Sequence, residues 1–137
     1  MKRTTFIATA SLAILLAAIP VVAHHSFAAQ YDSKKPIKLT GTVTKVEWMN
    51  PHIYFYMDVK GTDGKVDNWA FEGGAPNGLY RNGWRKDSLK RGDMVTVDGS
   101  LAKDGSKLVN ARAVVMADGK KIFAGSSGGD YGPGGQQ

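Results

Sequence analysis

The sequence predicts an all-β domain with one or two short helical turns, built as an OB-like small barrel of five to six strands. Three observations carry this. Apolar residues recur with a period of two along most of the chain, three Asp-Gly pairs fall between the apolar runs, and the one stretch that breaks the pattern lies after the third run.

In the first strand Ile37, Leu39, Gly41 and Val43 alternate with Lys38, Thr40, Thr42 and Thr44, after which the apolar phase jumps to Val46 and Trp48. A change of phase inside one strand predicts a bulge that re-aims the side chains. The second strand, Ile53 to Val59, places Ile53, Phe55, Met57 and Val59 on one face and Tyr54, Tyr56 and Asp58 on the other. Asp63-Gly64 supplies a turn before a third strand, Val66 to Glu72, and the three strands form a meander.

From Gly73 to Gly83 the alternation fails, and Pro76 or Asn77 can start a helical turn, with Asp87-Ser88-Leu89 as a second start. Leu89 to Asp93 reads as a turn, followed by a strand through Val95, Val97, Gly99 and Leu101. Asp104-Gly105 introduces the strand Leu108 to Met116, and Asp118-Gly119 the short strand Lys121 to Phe123. These Asp-Gly pairs are hairpin turns, because the alternate acidic residues of a calcium loop are missing. Trp48, Trp69, Phe55 and Phe71 are expected in the core or at its rim.

Both ends differ from this middle. Lys2 and Arg3, the apolar run from Phe6 to Ile19, and Pro20 before Val21-Val22-Ala23 form a secretory signal peptide with cleavage after Ala23. Cleavage after Ala28 also fits the small-residue rule, and an uncleaved anchor is the other reading of the apolar run. At the far end Gly125 to Gln137 has six glycines in 13 residues and too little apolar surface to offset its ordering entropy, so a disordered tail is expected. The expected organisation is a signal peptide over 1–23, an extension over 24–36, the OB-like domain over 37–124 and the tail over 125–137. The product is expected to be periplasmic or secreted, with no membrane span after cleavage, and monomeric.

The mature chain carries sixteen basic against twelve acidic residues, a net +4 that is no nucleic-acid signature by itself. With no cysteine, packing alone must hold the fold, and a metal could be bound only through histidine, carboxylate, amide or amine groups.

The chain also carries a resemblance. The start His24-His25-Ser26-Phe27-Ala28-Ala29 with Tyr31-Asp32, the blocks Leu39-Thr40-Gly41-Thr42-Val43 and Val46-Glu47-Trp48, Asn50-Pro51-His52, Trp69-Ala70-Phe71-Glu72, Gly83-Trp84 and Phe123-Ala124-Gly125 resemble a family of small exported bacterial proteins known as a domain of unknown function. The likeness spans about residues 24 to 127, and the glycine-rich tail lies beyond it. It implies export and a compact β domain and supplies no catalytic residue. The segment Gly73-Gly74-Ala75 departs from the family's pattern.

Three histidines offer the chemistry. If His24 becomes the N-terminus, its amine and ring nitrogen can chelate Cu(II), with His52 as a third ligand in a histidine-brace geometry that suits tetragonal copper. A second mode uses the amine, the next backbone amide and the imidazole of His25. Zn(II) is the weaker choice of metal. Against the metal reading stands a plainer one, with His24 and His25 a polar terminal pair and His52 capping a strand by hydrogen bonding.

Enzymatic readings find less support. Ser26 beside His25 is no positioned pair, and no phosphate loop, HExxH helix or nucleophile elbow occurs. Asp58, Glu72 and Asp98 read as strand carboxylates on a solvated face. A copper oxidase remains open, yet storage or delivery would use the same ligands. Finally, Arg81, Trp84 and Arg85 join positive charge to an aromatic, as a recognition surface would. Export makes an anionic envelope component or an acidic protein a better partner than nucleic acid. The expectation is an exported, non-catalytic binding module with copper binding as its sharp alternative.

Overall fold

A computed structural model describes residues 27–125. A helical turn over residues 27–30 leads into six strands and one short helix, in the order β1 (Tyr31–Glu47), β2 (Tyr54–Lys60), β3 (Val66–Glu72), α1 (Pro76–Arg81), β4 (Met94–Ala102), β5 (Leu108–Met116) and β6 (Lys121–Phe123).

The strands form one sheet in the order β3-β2-β1-β4-β5-β6, and β3 also pairs with β5. That last pairing is parallel, joining Ala70 to Leu108 and Glu72 to Asn110, whereas all other neighbours are antiparallel. The ring of pairings therefore closes through β1 to β5, with α1 between β3 and β4. This is the OB arrangement that the order of elements predicts.

Closure depends on β1 serving two partners. Residues from Tyr31 to Thr42 pair with β4, and those from Thr42 to Glu47 pair with β2. The strand changes partner where the sequence changes phase, with a register shift between Val43 and Lys45. Gly41 sits at this bend because a Cβ there would lie 2.4 Å from the Asp58 carbonyl oxygen. The first strand begins at Tyr31, six residues before the alternation starts. Tyr31 opposes Ala102 and Pro36 opposes Ser100 across an irregular stretch, so the second half of the expected extension belongs to β1.

The three Asp-Gly turns share one device. Oδ1 of Asp63, Asp104 and Asp118 accepts a hydrogen bond from the amide of Lys65, Ser106 and Lys120 respectively, and the glycine between takes positive φ.

Inside the ring Val43, Phe55, Met57, Phe71, Val95, Val97, Val109 and Val114 are buried, with the Phe55 and Phe71 rings stacked at 5.0 Å. Trp48 and Trp69 pack against this core partly buried, as rim residues. One end is closed by Leu79 of α1 with Trp84 and Leu89. Gly73 and Gly74 are tightly constrained. Gly74 donates its amide to the Ala124 carbonyl, and a Cβ on it would lie 2.3 Å from the Gly125 oxygen, so the chain end after β6 crosses directly over it. The expected second helical start at Asp87 is only a turn, in which the Ser88 hydroxyl accepts the Arg85 amide hydrogen.

Candidate functional site

The structure gathers its unusual chemistry at the end of β3. Glu72, which the alternation placed on a solvated face, is only 6% exposed. The correction has a topological cause. β3 is paired on both sides at its C-terminal end, with Tyr54 opposite Glu72 on β2 and Asn110 opposite it on β5, so the side chain is enclosed by neighbours. Of the other two strand carboxylates, one is solvated and one only partly so. Asp58 is exposed and Asp98 lies 3.5 Å from the Lys38 ammonium.

A buried carboxylate is costly unless its oxygens are satisfied. Glu72 meets this with donors from two other segments. The Tyr31 hydroxyl, itself buried, donates to Oε2, and Nδ1 of His52 faces Oε1 within hydrogen-bonding distance. Among the described residues, no buried polar side-chain atom lacks a partner. The carboxylate also acts on its neighbours. Burial, then the hydrogen bond to Glu72 and its charge, hold the Tyr31 phenol far above its ordinary range. The Tyr54 phenol is pushed up to about 12, by burial first and then by the Glu72 charge.

His52 stands just ahead of β2. The Asn50–Pro51 peptide before it is cis, and Ile53 after it is anchored by backbone hydrogen bonds to Gly73 and Gly74. Its side chain is 26% exposed, so the ring is pinned on one edge by Glu72 and partly open to solvent. Among the described residues Nε2 has no hydrogen-bond partner. His24 and His25 lie outside the described residues. Among those described, no group of three or more histidine or acidic side chains is arranged to hold a metal ion.

The second expected surface changes composition. Trp84 is 2% exposed, its ring 6.4 Å from that of Trp48, because it plugs the end of the ring under α1. It cannot offer a stacking face to a ligand. Tyr80 takes that position, 58% exposed, with the Arg85 guanidinium 3.9 Å above its ring. Arg85 is fixed there by donating to the carbonyls of Tyr80 and Trp84, and Arg81 is exposed nearby on α1. The signal for Tyr80 was present in the sequence, since one exposed face of a six-residue helix must carry whatever does not point at the core.

The fold and this site define a small OB-like β domain with a buried, histidine-bound carboxylate at one edge of the ring. The chain belongs to the family of unknown function DUF6152, which it matches over residues 12–110. No curated protein matches the chain. Among solved structures it is similar to the mitochondrial single-stranded DNA binding protein Rim1 of S. cerevisiae, with a TM-score of 0.48 and 8% identity, covering 61% of this chain and 93% of that one. Among the described residues no helix is long and apolar enough to cross a membrane.

Proposed function

We propose that this protein is an exported, non-catalytic binding domain whose ligand is Cu(II), with Zn(II) the weaker alternative, held by His52 and the histidines that follow the signal peptide. The observation that supports this reading is the convergence of Tyr31 and His52 on one carboxylate, which brings the start of β1 to the edge where His52 stands. Tyr31 is seven residues after His24, a separation the chain can span by up to about 25 Å at roughly 3.5 Å per residue. An amine and ring nitrogen from His24 with Nε2 of His52, or the amide mode through His25, would give the nitrogen-rich equatorial set that Cu(II) favours.

Mass spectrometry of the protein recovered from the periplasmic fraction, followed by Cu(II) titration read by electron paramagnetic resonance, tests this. The expected result is a chain beginning at His24 that binds one equivalent of copper with nitrogen coupling. A start beyond His25, or no binding at micromolar copper, overturns the metal reading.

A second reading rests on the Tyr80–Arg85 stack. An exposed aromatic with a fixed guanidinium above it and Arg81 close by suits an anionic envelope component. Retention of the protein on anionic vesicles is expected to fall when Tyr80, Arg81 and Arg85 are replaced together by alanine. Unchanged retention would remove this surface from consideration.

A further inference from the structure

Glu72 has both of its oxygens engaged by side chains from different segments, Tyr31 at the start of β1 and His52 ahead of β2. A carboxylate can only accept hydrogen bonds, so the proton in the contact with His52 resides on Nδ1. A neutral imidazole has one N–H and one lone pair, and the bond made by one nitrogen decides the state of the other. In the neutral ring the lone pair is therefore on Nε2, the nitrogen without a partner among the described residues. An exposed histidine has no such constraint, since its ring can rotate and exchange tautomers.

We propose that Glu72 is a positioning residue that locks His52 in its Nδ1–H tautomer and presents Nε2 as a fixed electron-pair donor, while Tyr31 fixes Glu72 in turn. The class of ligand this serves is a borderline divalent metal ion, and that part of the inference rests on the metal reading above. Carboxylate contacts of this kind orient a ligating imidazole and raise its basicity, and their loss lowers metal affinity by about 10- to 100-fold. The Tyr31 contact adds a second consequence. The Tyr31 hydroxyl holds the second carboxylate oxygen from the start of β1, so the group that orients His52 is itself fixed from another segment.

The test begins with the metal-free protein. Long-range proton–nitrogen correlation spectra of the mature chain, with His52 assigned by comparison with His52→Asn and its ring shown neutral by its nitrogen shifts, are expected to show His52 as the Nδ1–H tautomer. An Nε2–H tautomer in the folded protein overturns the assignment, whatever copper does. Titration with Cu(II) then compares wild type, E72Q and Y31F, each first shown to be folded by circular dichroism. E72Q is expected to bind about 10- to 100-fold more weakly and Y31F less weakly than E72Q, and an E72Q chain binding as tightly as wild type overturns the positioning role. Should E72Q not fold, the wild-type tautomer and the Y31F affinity still decide. An Nδ1–H tautomer in a wild-type protein that binds no copper supports the Glu72 assignment while ending the metal reading.

Discussion

Two parts of this molecule are built around buried side chains and are opposite in chemistry. At the α1 end, Trp84, Leu79 and Leu89 close the ring with apolar surface, and their burial is favourable wherever they pack. At the β3 edge, Glu72 is nearly as inaccessible, but its burial is tolerable because Tyr31 and His52, with the Tyr54 phenol beside them, satisfy it. A small barrel thus puts its limited interior to two uses. The plug contributes chiefly the apolar area it fills, whereas the carboxylate is held through charge and hydrogen bonds to named atoms.

Substitutions can break this contrast, and the largest effects are expected at the plug. Trp84→Ala should cost about 3 to 5 kcal/mol by opening a cavity under α1, read as a lowered midpoint in urea unfolding. Trp84→Phe should recover part of that loss. Glu72→Leu should be nearly as damaging, about 3 kcal/mol, because it strands a buried Tyr31 hydroxyl as well as His52, and here no apolar replacement should rescue. A Glu72→Leu chain as stable as wild type would show that the cluster is no more specific than the plug.

Next in size is an alkaline effect centred on the polar edge. The folded-state value of Tyr31 lies above its unfolded value of about 10, so its contribution is fully present below that pH and is lost as pH rises beyond it. Thermal midpoints measured from about pH 8 to 12 should fall above about pH 10 in wild type and less steeply in Tyr31→Phe. Equal slopes would place the alkaline loss elsewhere. His52→Asn should cost only about 1 kcal/mol, since it removes one donor from a partly exposed ring while Tyr31 still serves Glu72. The smallest change is expected for Arg85→Ala, within about 0.5 kcal/mol in thermal unfolding, because Arg85 covers an exposed tyrosine.

The architecture was largely legible in the sequence. Period-two alternation located five of the strands within a residue or two, the phase change after Val43 marked the bulge, and three of the four Asp-Gly pairs proved to be turns of one type, the fourth, Asp98-Gly99, lying inside β4. The start of β1 was missed because Asp32-Ser33-Lys34-Lys35-Pro36 has no alternation to read, and it pairs irregularly with β4. The candidate site was legible in part. His52 stood out as the one histidine within the β pattern, while Glu72 was assigned to solvent and Trp84 to a binding face. Both misassignments have the same origin. Periodicity tells which side of a strand or turn a residue takes, and it does not tell what will cover that side.

What the sequence by itself determined is therefore local: where strands run, where they bend and turn, and which residues form the apolar lining, since these follow from backbone preference and side-chain alternation. Only the tertiary structure decided that the outer face at the end of β3 is enclosed, that Tyr31, His52 and Glu72 meet, and that Trp84 is a plug with Tyr80 outside it. The physical reason is ring closure. Pairing β3 with β5 joins segments about 40 residues apart in the chain, and such long-range contacts create a buried polar site that no short window of sequence contains.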